Sequence, residues 1–269
     1  MPVGNFFKKH KSKIRKGTIL TLWSFLLTGL FMTLGFVGKE EFEVVCSGVV
    51  TKILPLEEPG FVNREMILKT IRPDGDELKL KGTLLAQLNT PLLERRLQQN
   101  EFVRNAEVFT DMNGLLHIHI HQREPILRVS NSAGEQFYID RDGLKMPVST
   151  LFTAHVPIAT GNIFEPWDGR DSLRSFVAEE LFKIATYVDK DAFWKAQIEQ
   201  IFVNNESELV LVPKVGDHTI LFGNSGDMQK KFDKLLLFYR EALSRMGWDQ
   251  YSCIDLRFED QVVCKKKKL

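Results

Sequence analysis

Residues 106–122 read Ala106-Glu107-Val108-Phe109-Thr110-Asp111-Met112-Asn113-Gly114-Leu115-Leu116-His117-Ile118-His119-Ile120-His121-Gln122, and this stretch decides the fold of the first half of the chain. Asn113-Gly114 is a hairpin signal, because both residue types tolerate positive φ. It joins an expected strand over Ala106–Thr110 to another over Leu115–Gln122. In the second strand Leu116, Ile118 and Ile120 alternate with His117, His119 and His121, so one face is apolar and the other polar.

Upstream of the hairpin the pattern is helical. Asn89-Thr90-Pro91-Leu92-Leu93-Glu94 reads as a helix start. Thr90 is the expected cap, Pro91 suits the first helical position, and Glu94 lies near the positive end of the dipole. Leu93 and Leu97 share a face. Before that, Asn63 is the expected N-cap of a shorter helix with Ile67 and Ile71 at i, i+4, and Pro73-Asp74-Gly75-Asp76 stops it. Further back, Phe42–Val50 with Ile53 and Leu54 is β-prone up to Pro55 and Pro59-Gly60. The order is strand, helix, helix, strand, strand.

Ahead of this unit, Gly17–Gly38 carries no charged residue. At about 1.5 Å per residue it just crosses a hydrocarbon core of roughly 30 Å. Lys8, Lys9, Lys11, Lys13, Arg15 and Lys16 precede it without an acid, whereas Glu40, Glu41 and Glu43 follow Lys39. This asymmetry places residues 1–16 in the cytoplasm and everything after residue 38 on the other side. The run exceeds a signal-peptide core, and its end makes a poor small-x-small site, so an uncleaved anchor over 17–38 is expected. Glu43-Val44-Val45 is the wrong context for acylation of Cys46, which is expected in a strand.

Composition is that of a folded protein, with 43% hydrophobic and 26% charged residues and a formal charge of +1. Both ends are basic: the juxtamembrane arm suits anionic lipid headgroups rather than nucleic acid, and the terminal Lys265–Lys268 tail reads as a solvated end. Three cysteines form no disulfide framework; Cys253 and Cys264 are the pair that an oxidising compartment would join.

After Arg123-Glu124-Pro125 the chain becomes a series of short strands. Ile126–Val129 and Gln136–Ile139 flank a turn at Asn131–Gly134, Asp140–Gly143 forms the next turn, and Gly161–Gly169 is loop-like. A helix is expected from about Ser172 to Val188, with Leu173, Val177, Leu181, Ile184 and Val188 in one stripe. Strands at Gln197–Val203, Glu208–Val212 and His218–Phe222 follow. Asp227 is expected to cap a helix reaching Arg245, with Phe232, Leu235, Leu236, Tyr239 and Leu243 inward and Gly247 as its stop. The last element is Tyr251–Phe258, with a possible extension to Cys264.

Little here points to catalysis. The three histidines of one straight strand span about 13 Å, too far to converge on one ion, so no metal is expected. There is no Gly-x-Ser-x-Gly elbow, no phosphate-binding glycine loop and no acid–base pair in an evident context. Asn205-Glu206-Ser207 matches a glycosylation acceptor by chance frequency. The competing enzyme reading, a membrane-tethered envelope hydrolase or ligand-binding enzyme, would have to use Asp140, Asp142 and His155. No cofactor and no small-molecule substrate are expected. A terminal strand is often a sheet edge that accepts a partner's strand, or else it pairs internally and closes the fold.

Tyr251-Ser252-Cys253-Ile254-Asp255-Leu256-Arg257-Phe258 resembles the Tyr-x-x-Asp-Leu-Arg-aromatic signature of the FtsQ/DivIB bacterial cell-division family. Leu221-Phe222-Gly223, Lys231, Leu235 and Phe238-Tyr239 resemble the strand and helix before that signature. Asn105–Val108 to Gln122–Ile126 is similar to the end of the family's POTRA domain, and Phe137–Asp140 with Gly143 to the opening of its β domain. The resemblance implies an α+β protein. It would have a cytoplasmic arm at 1–16, one transmembrane helix at 17–38, a POTRA domain (β-α-α-β-β) at 42–122, a mixed β domain with flanking helices at 123–264, and a basic tail at 265–269.

The function implied is a non-enzymatic divisome scaffold of the bacterial inner membrane, its bulk periplasmic, acting at the septum. It would bind the bitopic partners FtsB and FtsL (DivIC and FtsL in other lineages) by strand addition at its last β strand. By position, Arg257, Phe258 and Asp260 would make contacts, with Tyr251, Ile254 and Leu256 supporting the strand. The family's basic residue near the start of an earlier strand has no counterpart in Gln197-Ile198-Glu199-Gln200, and the lysine tail is not part of the family pattern.

Overall fold

The structure, a computed structural model, describes residues 21–33, 44–55, 60–71, 80–169 and 172–267. Residues 21–33 are helical, and Leu22, Trp23, Phe25, Leu26, Leu27, Leu30, Phe31 and Met32 are all exposed on it. No helix among the described residues is long and apolar enough to cross a membrane. The expected span Gly17–Gly38 lies partly outside the described residues, and the arm at 1–16, the start of the first expected strand and the stop at Pro73–Asp76 lie wholly outside them.

The chain divides into two compact units: residues up to Ile53 with Asn63–Gln99 and Asn105–Ile120, and Leu54–Val62 with Asn100–Arg104 and His121 onward. The first contains β1 (Gly48–Leu54), α1 (Arg64–Ile71), α2 (Thr90–Gln98), β2 (Val103–Thr110) and β3 (Leu115–Gln122), with sheet order β1-β3-β2. Leu116, Ile118 and Ile120 are fully buried on β3, as the alternation requires, and Ile67, Ile71, Leu93 and Leu97 are the buried helical residues. Asn63 caps α1 by accepting from the Met66 amide at 2.8 Å.

Three local expectations are corrected. Asn89, not Thr90, caps α2, its side chain accepting from Leu92 N, so Pro91 falls one residue further in. In the hairpin only Gly114 takes positive φ (83°), while the Asp111 carboxylate accepts from the Asn113 and Leu115 amides. A Cβ at Gly114 would also lie 2.5 Å from the Val45 carbonyl oxygen, so the glycine answers both to conformation and to space. Cys46 precedes β1 rather than lying within it, and is buried.

The second unit is built on a nine-stranded mixed sheet. Its strands are β4 (Pro125–Ser130), β5 (Gln136–Asp140), β6 (Lys145–Pro147), β7 (Ile158–Gly161), β8 (Ile198–Val203), β9 (Leu209–Pro213), β10 (Thr219–Gly223), β11 (Tyr251–Asp255) and β12 (Val263–Lys266). The order is β12-β11-β10-β9-β8-β7-β4-β5-β6. Parallel neighbours need long crossovers. Accordingly α3 (Phe176–Lys190) and α4 (Ala192–Gln197) connect the parallel pair β7 and β8, and α5 (Met228–Phe238) connects the parallel pair β10 and β11. Leu181 and Ile184 of α3 and Phe232 and Leu235 of α5 join Ile201, Leu211, Ile220, Phe222, Ile254 and Leu256 in one core.

Here too the boundaries move. Ser175, not Ser172, starts α3, accepting from the Ala178 amide, while Ser172 bridges Leu144. Asp227 adopts φ 50° and makes no side-chain cap. The helix expected to run to Arg245 contains a π turn at Tyr239–Leu243 before Ser244–Met246, with Gly247 at φ 94° ending it. Tyr239 and Leu243 are buried as expected, but Leu236 is only partly so. The final expected strand is two: β11 ends at Asp255, and β12 is a separate strand.

Candidate functional site

A sheet of strands has two ends, and β12 is one of them. It pairs antiparallel with β11, with Tyr251 opposite Lys266, Ile254 opposite Cys264 and Asp255 opposite Val263, and a register shift between Tyr251 and Cys253. The order β12-β11-β10 leaves β12 with no strand on its outer side among the described residues. Backbone N–H and C=O groups on such an edge are a template for another strand.

β11 seats the edge in the core. Ile254 and Leu256 are fully buried, and the Leu256 amide donates to the Leu221 carbonyl at 2.9 Å. Tyr251 is half-buried, its ring 5.7 Å from that of Phe238. Beyond β11 the chain turns. Arg257 spans two carboxylates, with Nη2 2.7 Å from Asp255 Oδ2 and Nη1 2.9 Å from Glu208 Oε2. Those hydrogen bonds raise the guanidinium pKa and hold the Asp255 carboxyl below its usual value. Lys234 of α5 clasps the same turn from the helix side. Its ammonium donates to the carbonyls of Leu256 (3.4 Å), Phe258 (2.5 Å) and Glu259 (3.0 Å). Phe258 is 46% exposed and Asp260 is also exposed.

Thus the structure places the six sequence-derived site residues in two groups. Tyr251, Ile254 and Leu256 anchor β11 and the residue after it, while Arg257, Phe258 and Asp260 lie on the turn leading into β12. The edge strand itself, Val263–Lys266, is absent from that set. Its signal was present in the polar run Glu259-Asp260-Gln261 separating two β-prone segments, but Lys265 and Lys266 break the apolar alternation that marks a strand.

On β12 the side chains are mostly in solvent. Val263 is 41% exposed, Lys265 and Lys266 are exposed, and Cys264 is half-buried against the core. Burial, and then the neighbouring Cys253, raise the Cys264 pKa. Both thiols are free. Cys253 opposes Lys265 and Cys264 opposes Ile254, so the two cysteines are not a directly facing cross-strand pair. Lys267 closes the end by an ion pair to Asp217 at 2.8 Å, which lowers the Asp217 pKa.

The residues named for an enzyme are occupied otherwise. Asp140 is buried, 2.7 Å from Arg123 Nε, and its other oxygen accepts from the Asp142 and Leu144 amides of the turn. Asp142 pairs with Arg104 at 2.8 Å. His155 lines a cavity of about 630 Å³ within the second unit. The charged walls of that cavity are tied to one another: Arg141 pairs with Glu124 and Asp189, and Lys195 with Asp189. Asp140 and Asp142 do not line it. His117 lies 3.0 Å from Asp111 and stacks on Phe109, and no group of three or more metal-ligating side chains occurs among the described residues. Gln197 closes α4 and Gln200 lies on β8, where it donates to Thr160 Oγ1.

Comparison with known proteins meets this geometry from the other side. A POTRA-like domain model matches residues 44–121. The chain is 27% identical over 194 residues to the cell division protein FtsQ of Salinibacter ruber, covering 70% of this chain and 74% of that one. It is 24% identical over 191 residues to FtsQ of Rhodothermus marinus, covering 69% and 68% respectively. The family model described as FtsQ/DivIB, C-terminal related, matches residues 124–265, the sheet up to Lys265 of β12. That match takes in more than half of the chain: the protein belongs to the FtsQ/DivIB family of cell-division proteins.

Proposed function

We propose that the chain is a non-enzymatic divisome scaffold that captures bitopic FtsB/DivIC-like and FtsL-like partners by strand addition on the outer side of β12. In this reading Gly17–Gly38 holds it in the inner membrane with residues 1–16 in the cytoplasm, and both folded units stand outside the cytoplasm at the septum. The observation that carries the reading is the position of β12, a terminal strand of a nine-stranded sheet with no neighbour beyond it among the described residues. An incoming strand would gain main-chain hydrogen bonds there, and nearby side chains would set specificity. Phe258 and Asp260 supply exposed contacts beside the edge, and Tyr251, Ile254, Leu256 and Arg257 keep β11 and the turn in place. Anchoring all partners in one membrane raises their effective concentration, so each contact can be modest.

The test is co-purification of the full chain, and of a chain ending at Gln261, with the partner pair from the same organism. The shortened chain is expected to lose the partners. Undiminished capture without β12 would remove strand addition at this edge.

A further inference from the structure

The edge of β12 carries a charge pattern that belongs to this chain and is not required by the family signature. Lys265 and Lys266 are adjacent, so they project to opposite faces of the strand. Both are exposed, and neither has a carboxylate partner among the described residues, unlike Lys267, which is held by Asp217. Two other described cations beside this edge are engaged: Arg257 by Asp255 and Glu208, and Lys234 by three backbone carbonyls. The start of β8, by contrast, offers Gln197-Ile198-Glu199-Gln200 and no cation.

A strand laid along β12 would put its side chains about 4.5–5.5 Å from those of Lys265 and Lys266, one on each face. A second copy of this chain would set lysine against lysine, and like charges directly opposite one another are destabilising. A strand with two consecutive acidic residues would meet a cation on both faces. The same pair of lysines therefore discourages self-pairing at an open edge and selects among partners.

We infer that Lys265 and Lys266 make β12 selective for an acidic partner strand, one with consecutive carboxylates in register with them. The inference rests on the strand-addition reading, and its test separates the two. Short β-prone peptides identical except for a central Glu-Glu, Gln-Gln or Lys-Lys are titrated onto the full chain in detergent. An exposed ion pair carries roughly threefold in affinity, so two multiply to about tenfold. The Glu-Glu peptide should bind about tenfold tighter than the Gln-Gln peptide, with the gap closing as salt is added. Lys265→Gln/Lys266→Gln should erase the gap, and Lys265→Glu/Lys266→Glu should transfer the preference to the Lys-Lys peptide.

Equal binding of the Glu-Glu and Gln-Gln peptides overturns the selectivity. If their binding is still lost on backbone N-methylation, strand addition stands without it. Undiminished binding of an N-methylated Glu-Glu peptide overturns strand addition instead. If vesicles containing phosphatidylglycerol, and not the peptides, bind in a manner lost with the two lysines, then the lysines serve a membrane surface and the inference fails.

Discussion

Two sheet edges in this molecule are treated in opposite ways. In the first unit, β2 is the end strand of the order β1-β3-β2, and two of its backbone groups are taken by side chains of α2. Glu94 of α2 accepts from the Val108 amide at 2.8 Å, and Gln98 of the same helix donates to the Ala106 carbonyl at 3.4 Å. The other edge of that sheet is touched by Arg64, which donates to the Val49 carbonyl at 3.2 Å. In the second unit the far edge β6 is three residues long and ends in Pro147, two ordinary ways of blunting an edge. Among the described residues β12 has no such cover, and it carries exposed lysines instead. In the reading proposed above, the uncovered edge marked by charge is the one that would admit a partner strand.

The largest expected effect breaks the open edge. Removing residues 262–269 should reduce partner capture at least a hundredfold in a pull-down, while the first unit keeps its resistance to proteolysis. Next comes the closed edge. Glu94→Ala leaves the Val108 amide without its side-chain partner, a loss of about 1 kcal/mol for a part-buried hydrogen bond. Thermal unfolding should show that loss, and sedimentation should show concentration-dependent association through a newly opened β2; a strictly monomeric, equally stable variant would mean that the cover is incidental. Lys234→Met removes the clasp on the turn at 256–259. It should speed amide exchange there and weaken capture about fivefold, the effect of roughly 1 kcal/mol, with no change in exchange at β2.

The smallest effect is electrostatic. The Asp255 carboxyl has a lower pKa folded than unfolded because Arg257 holds it ionised. The unfolded state therefore takes up its proton first as pH falls, so this contribution is full above the ordinary aspartate value of 3.8 and is lost as pH drops through the lower folded value. Stability of the second unit should fall more steeply with acid below about pH 4 in the parent than in Asp255→Asn, measured by denaturant melts. Parallel acid limbs would remove Asp255 as the source.

Much of this was legible in the residues. The first unit followed from Asn113-Gly114, the Leu116/Ile118/Ile120 alternation and the two apolar helical faces, all local signals. What escaped was decided by distant partners. β7 is only four residues long, Ile158–Gly161, yet it lies mid-sheet between β4 and β8; so short a segment has no period to read. The six residues of α4 are likewise too few for a helical stripe, although Asp191, which accepts from the Phe193 and Trp194 amides, marked its start. The starts of α2 and α3 are set by Asn89 and Ser175, whose side chains accept from the Leu92 and Ala178 amides, choices among nearby residues that can all cap. At the site, the signature around Leu256-Arg257-Phe258 lies on β11 and the turn after it, whereas the sheet edge is β12. β12 was hidden because Lys265 and Lys266, both exposed, break the apolar alternation that marks a strand.

The most direct measurement is amide hydrogen exchange of the full chain with and without the bound FtsB/FtsL-type pair. Strand addition at the open edge predicts new protection across 263–267 and unchanged exchange across 103–110. Protection appearing at 103–110 while 263–267 stays as fast as in the free protein would contradict it.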